Sequence, residues 1–521
     1  MSVDVISLGV FRNLFTSVAE EMGVTLQRAS FSPNIKERQD FSCAIFDHQG
    51  LMVAQAAHIP VHLGSMPASV TSAVNSFPSI HPGDVIILND PYQGGTHLPD
   101  ITMVSPVFTK NQLRFFVASR AHHADVGGIS PGSLPISTEL YQEGLIIPPI
   151  KITKAGHLDQ DILKLITMNT RAPKDREADL QAQLASQWVG ENRLVEMIHK
   201  HGLRAVQEHA TALMEYSQKM TESILSSIPK GEYHFQDTLE GSSPEKETYT
   251  IQVKISLRQS NMTVDFSGSS PQVCGNLNAV KSVVESATWY CVRLLVEEDI
   301  PMNHGCFQPI KVIVPPNSIL NPAFPAAVAA GNVETSQRIV DVVLGALAEA
   351  LPQRIPAASQ GTMNNITFGG IHQGTAFVFY ETIAGGHGAS PKGDGLSGRH
   401  SHMTNTRNTP IESIEQNLPV QILSYKLRPG SGGPGVYQGG MGIERTYKFL
   451  SPATVTINSD RRNIPPYGLQ GGAPGQVGAN KLIHNGKVIQ LDSKVSLQIQ
   501  SGDILIIETP GGGGWGKRTD D

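Results

Sequence analysis

From Asp175 to Ser227 apolar residues recur at helical spacing, and from Tyr249 to Leu257 they alternate strictly with polar ones. The first pattern is interrupted near His201-Gly202 and closed by Pro229, which predicts a helix pair with Leu180, Leu184, Trp188, Leu194 and Ile198 on one face. The second predicts a strand, continued after a turn by Met262 to Phe266 as a hairpin or meander. A chain that carries the two periods in separate blocks is of the α+β class. A chain of 521 residues also exceeds the roughly 250–300 at which one core stops growing. Two units are expected, 1–230 with the helix pair and 231–521 beginning at the change of period near Gly231.

Val5, Leu8, Phe11, Phe15, Val18 and Met22 stripe one face of an N-terminal helix, with Gly23 placed for a left-handed cap. From Ser42 to Thr109 short apolar runs (Ala44–Phe46, Val85–Leu88, Ile101–Val104) read as strands with polar residues gathered at their ends. Glu334 to Leu351 is helical by pattern. The last quarter, where the 50 glycines and 34 prolines cluster, is β-leaning, with Asn485-Gly486 as a hairpin turn and Val495 to Ile507 as an alternating pair of strands.

A net charge of −6 without a Lys/Arg run lacks the footprint that binding a phosphate backbone needs, so nucleic acid is excluded as a partner. Nowhere do about 18 apolar residues run uninterrupted, and the start has no basic segment leading into an apolar run, so a cytoplasmic, unprocessed protein with no membrane partner is expected. Cys43, Cys274, Cys291 and Cys306 show no metal-knot or redox spacing and are expected to be reduced thiols, mostly buried.

The densest chemistry lies in Asn89 to Asp100, ending Thr96-His97-Leu98-Pro99-Asp100, and in Ser119 to Gly128, which contains His122-His123-Ala124-Asp125. Both blocks flank apolar strands. Strand ends on a common edge bring together His97, Asp100 and one of His122 and His123, and two imidazoles with a carboxylate suit Zn²⁺, Mn²⁺ or Fe²⁺. Glu37 or Asp40 is a further candidate ligand. His58 and His62 have helical spacing, but Pro60 between them argues against a helix, so they are read as supporting residues. His387, Arg399 and His402 sit in a polar, glycine-bordered stretch suited to lining a substrate pocket. The glycine strings 429–435 and 511–514 match neither phosphate-loop pattern, which disfavours nucleotide binding on this chain, and no nucleophile elbow is present.

At these blocks the sequence resembles the hydantoinase B/oxoprolinase family, and the resemblance spans nearly the whole chain. The segments that carry it run in order: Asn34-Ile35-Lys36-Glu37-Arg38 with Asp40-Phe41-Ser42, His62-Leu63-Gly64-Ser65-Met66, Asn89 through Asp100, and His122 through Gly128. Asn169-Thr170-Arg171-Ala172-Pro173, Asp265-Phe266-Ser267-Gly268, Gly331-Asn332-Val333-Glu334 and Thr509 through Gly514 follow.

The resemblance implies a metal-binding B-type subunit, paired with a larger A-type subunit that binds ATP and Mg²⁺, in an A2B2 heterotetramer. It implies His97, Asp100 and His122 as ligands with a carboxylate from Glu37 or Asp40, and leaves His123 and Asp125 as candidate catalytic residues behind them. The implied reaction is hydrolysis of a small cyclic amide such as a hydantoin, 5-oxoproline or a lactam. The partner phosphorylates the amide oxygen and metal-bound water attacks the activated carbon, with the Gly94-Gly95 or Gly127-Gly128 amides as candidate oxyanion donors. The rival readings are a ketone carboxylase subunit, a non-catalytic metal-stabilised scaffold and a stand-alone metallohydrolase.

Overall fold

The computed structural model describes residues 4–56, 59–241, 247–296 and 299–518. Helices α1 (Val5–Ala29), α2 (Pro33–Lys36), α3 (His62–Asn75), α4 (Gln160–Met168), α5 (Pro173–His201), α6 (Leu203–Ser227), α7 (Lys281–Leu294), α8 (Ser336–Ala350) and α9 (Ile411–Asn417) accompany four β-sheets among the described residues, an α+β arrangement.

The first sheet is antiparallel, in the order β2 (Met52–Gln55), β1 (Phe41–Asp47), β5 (Gln112–His122), β4 (Asp100–Thr109), β3 (Val85–Leu88), β6 (Ile150–Lys154) and β7 (His157–Leu158). Cys43 and Ile45 pack with Phe15 of α1 and Leu194 of α5, while Ala44 and Phe46 pack with Met66 and Val70 of α3. Burial on both faces is why these strands read as continuous apolar runs without alternation.

Helix α1 begins at Asp4, whose carboxylate accepts from Ile6 N and Ser7 N. It does not end at Gly23. Leu26 repeats the stripe one turn after Met22 and is fully buried in the same cluster. Burying a leucine gains about 2 kcal/mol, which outweighs the roughly 1 kcal/mol cost of a glycine inside a helix, so the helix continues to Ala29.

The helix pair breaks at Gly202 (φ 84°) as its pattern requires. The apolar face drawn through Trp188 is wrong at that residue, which is 67% exposed. The buried face of α5 is partly polar instead. Gln183 donates to Ile101 O (3.1 Å), and Gln187 donates to Met103 O (2.9 Å) and to Ser119 Oγ (2.8 Å), anchoring the helix to strand carbonyls.

The second sheet runs β11 (Ile310–Ile313), β10 (Asn261–Asp265), β9 (Thr248–Arg258) and β8 (Gly231–Glu240), and the alternating Ile251, Val253, Ile255 and Leu257 bury against α8. The largest apolar cluster draws on both sides of residue 230, joining Ile101, Leu180 and Leu225 to Ile251, Val264 and Val343.

The third sheet, β13 (Thr375–Thr382), β12 (Asn365–His372), β16 (Ala453–Asn458) and β19 (Lys494–Ile499), shares its core with the fourth. That sheet is β14 (Val420–Leu427), β15 (Ile443–Phe449), β20 (Ile504–Glu508), β17 (Ala479–His484) and β18 (Lys487–Leu491). Asn485 (φ 50°) and Gly486 (φ 76°) make the β17–β18 hairpin turn. The expected pairing within Val495 to Ile507 does not form, because β19 pairs with β16 while β20 lies between β15 and β17. Alternation reports one buried face, and Ile499 and Leu505 reach the same core from two sheets.

Candidate metal centre

Strands β4 and β5 pair antiparallel with Asp100 directly opposite His122, which places the start of one and the end of the other at one sheet edge. His97 arrives from the loop before β4. Asn89 staples that loop, donating to Leu98 O (2.8 Å) and Leu145 O (2.9 Å) while accepting from Ile147 N (2.7 Å). One ligand atom from each of His97, Asp100 and His122 lies within 4.8 Å of the others. Asp100 Oδ2 is 3.3 Å from His97 Nε2, Asp100 Oδ1 is 3.2 Å from His122 Nδ1, and all three side chains are at most 3% exposed.

Asp100 is the hub. It accepts from Thr96 Oγ1 (2.6 Å) and Asn332 Nδ2 (3.3 Å), and His62 Nε2 lies at 3.5 Å with its Nδ1 2.8 Å from Ser42 Oγ. Burial acts against the Asp100 carboxylate, but the His97 charge and hydrogen bonds from His122, His62 and His97 outweigh it and hold the group well below the usual carboxylate range. Burial also acts against a charged His97, yet the adjacent Asp100 raises it. At His122 burial wins and the ring is lowered, so it stays neutral, as a metal ligand must be.

Two imidazoles and an ionised carboxylate fit a borderline divalent cation. His122 Nε2 is buried with no hydrogen-bond partner, which costs about 1–3 kcal/mol unless a cation or ligand supplies one. The cavity beside the cluster is about 20 Å³, room for an ion or a water and not for a ring. Asp40 lines it, along with His62, Asn332, Tyr380, Met403 and Thr404. Tyr380 stacks on His122 (centroids 4.5 Å apart) and lies under the buried Arg38 guanidinium, 4.7 Å from the ring centroid.

The profile of the hydantoinase B/oxoprolinase family matches residues 4–518. The chain belongs to that family. It is 44% identical over 520 residues to an uncharacterized Methanocaldococcus jannaschii protein, covering 99% of this chain and 91% of that one. It is 42% identical to 5-oxoprolinase 1 of Arabidopsis thaliana, covering 99% of this chain but 42% of that protein, so it spans about two fifths of the longer relative. The ATP-dependent caprolactamase from Pseudomonas jessenii superposes with a TM-score of 0.93 at 28% identity, over 99% of this chain and 92% of the other.

Within this hydantoinase B/oxoprolinase chain, Asp40 reaches the cavity and Glu37 does not: Glu37 ends α2 and lines a separate cleft with Asp175. His123 does not join the cluster either. Neighbouring residues at a strand end point to opposite sides, and the His123 ring is held between Arg176, which donates to Nδ1, and Gln183 Oε1, 2.8 Å from Nε2. Asp125 accepts from Gly127 N, Gly132 N and Arg171, tying down its own loop.

His387, Arg399 and His402 lie outside the cavity wall. His387 Nε2 bonds His400 O (2.8 Å), Arg399 is exposed, and His402 Nδ1 lies 3.5 Å from Tyr290 Oη. His58 falls outside the described residues. Two of the amides considered for an oxyanion are already occupied, Gly95 N by Asp90 O and Gly127 N by Asp125 Oδ1. The glycine strings pack backbone on backbone, Gly433 N donating to Gly512 O and Gly512 N to Gly440 O.

The residues missed from sequence are Asn332 and Tyr380; His62, expected as a supporting residue, stands between Ser42 and Asp100. The signal for Asn332 was present, as a polar residue in Gly331-Asn332-Val333-Glu334 immediately before a helical pattern. The chain forms a π-turn at that point, a distortion frequent at functional sites.

Proposed function

We propose that this chain is the metal-bearing B-type subunit of an ATP-dependent hydrolase of small cyclic amides, working in the cytoplasm with a larger A-type subunit in an A2B2 assembly. The observation that carries the reading is the buried His97/Asp100/His122 cluster with its unpartnered nitrogen. A family that includes a 5-oxoprolinase, and likeness to an ATP-dependent caprolactamase, supply the substrate class. The more than half of 5-oxoprolinase 1 that has no counterpart here is the natural place for ATP and Mg²⁺ handling.

His97, Asp100 and His122, with Asp40 alongside, would hold Zn²⁺, Mn²⁺ or Fe²⁺. Such an ion supplies Lewis acidity and brings the pKa of water toward 7. The chain's own residues do the rest. His62, between Ser42 and Asp100, keeps the carboxylate oriented. Asn332 Nδ2, 3.1 Å from His97 Nε2 and 3.3 Å from Asp100 Oδ2, holds those two side chains relative to each other. Ile59, Val61, Met363 and Met403 keep bulk water off the centre. Because the cavity is about 20 Å³, its walls must part to admit a ring.

The test is elemental analysis of the purified chain beside a His97→Ala/His122→Ala variant, followed by ATP-dependent ring opening of hydantoin, 5-oxoproline and caprolactam with the partner present. Near-stoichiometric metal lost in a folded variant, together with ring opening by the parent only, is the expected result. Equal metal in both proteins would refute the ligand set, and turnover that needs bicarbonate and a ketone would make the complex a carboxylase instead.

A further inference from the structure

We propose that Glu143 is a positioning residue for the metal centre, fixing the backbone segment whose Ala329 carbonyl sets the ring of His97. The inference rests on the metal-site reading above.

His97 Nδ1 lies 3.2 Å from Ala329 O. A carbonyl oxygen only accepts, so Nδ1 carries the hydrogen and Nε2 is the atom turned toward Asp100 at 3.3 Å. What holds Ala329 in place is one carboxylate oxygen. Glu143 Oε1 accepts from Val328 N (2.9 Å), Ala329 N (2.9 Å) and Ser137 Oγ (2.7 Å). Gripping two successive N–H groups leaves the next carbonyl little freedom.

The same segment is tied on either side. Leu140 N donates to Pro325 O (2.8 Å), Tyr92 Oη donates to Ala326 O (2.7 Å), and Ala330 N donates to Asn276 O (2.9 Å). Two residues further on it delivers Asn332, whose Nδ2 contacts both His97 Nε2 and Asp100 Oδ2. Glu143 itself is fully buried, and its Oε2 has no hydrogen-bond partner. Its bonds therefore converge on the Val328–Ala329 segment and on Ser137, with no basic side chain among its partners. Removing the groups that orient a ligating imidazole typically costs 10–100-fold in metal affinity.

The experiment compares the full chain with Glu143→Ala and Glu143→Gln. One readout is the His97 tautomer, from ¹⁵N histidine NMR at a pH high enough that the ring is neutral, with the signal assigned through His97→Ala. The other is Zn²⁺ affinity by chelator competition. In Glu143→Ala the His97 tautomer should become mixed and Zn²⁺ affinity should fall about 10- to 100-fold. Glu143→Gln, which keeps an accepting oxygen, should restore both to near the parent, and circular dichroism should be unchanged in each. A folded Glu143→Ala with parental tautomer and affinity overturns the proposal, as does a Gln variant that fails like Ala. If Glu143→Ala does not fold, Ser137→Ala removes one of the three bonds and should shift both readouts the same way by less; no shift there overturns it too. Should the parent bind no Zn²⁺, the metal reading falls while the tautomer still decides this one.

Discussion

Replacing Glu334 by Gln should remove a specific pH dependence of stability. Glu334 sits in the π-turn before α8, fully buried, its Oε1 accepting from Met363 N (3.1 Å) and Asn365 Nδ2 (2.8 Å). Burial, aided by the Asp460 carboxylate, pushes it up from 4.5 to about 7. Between those pH values the unfolded chain has released the proton and the folded one still holds it. Stability from this group is therefore complete below pH 4.5 and is lost as pH rises through about 7. At about 1.4 kcal/mol per pH unit the interval is worth about 3 kcal/mol. A glutamine carbonyl can accept both hydrogen bonds and never ionises. Urea unfolding of parent and variant from pH 4.5 to 8 should show the variant's stability relative to the parent climbing by about 3 kcal/mol and then levelling. The other carboxyl raised to about 7, Glu143, is common to both proteins and cancels in the difference. Parallel pH curves would refute the reasoning.

A Cβ on Gly512 would lie 1.9 Å from His387 O and 2.2 Å from His387 C, both backbone atoms, so Gly512→Ala should destabilise by about 3 kcal/mol or more; an unchanged melting midpoint would contradict that packing. Trp188→Ser should alter stability by less than about 0.5 kcal/mol, while Leu180→Ala one turn-pair away on the buried face should cost about 2–5 kcal/mol. Equal losses in denaturant titration would mean that the face of α5 has been drawn wrongly.

Much of the fold was legible because hydrophobic period is a local property. The break at Gly202, the β9–β10 hairpin and the Asn485-Gly486 turn all follow from spacing and turn chemistry, and the two polar blocks at strand ends led to His97, Asp100 and His122. Where a residue's environment comes from distant chain, the reading failed or stayed open. Trp188 has helical spacing with the buried residues, yet the face of α5 that meets the sheet carries Gln183 and Gln187, whose partners are strand carbonyls 82 and 84 residues away. Strands β19 and β20 alternate alike but enter different sheets.

The same division runs through the site. The sequence by itself determined which side chains stand at the ends of β4 and β5, and their chemistry, because strand geometry and residue type are local. Only the tertiary structure decided that His122 rather than His123 faces the cluster, that Asp40 rather than Glu37 lines its cavity, and that Asn332, 232 residues from Asp100, donates to it. Those choices depend on strand register and on which backbone segments are packed against that sheet edge, and neither is written in the spacing of nearby residues.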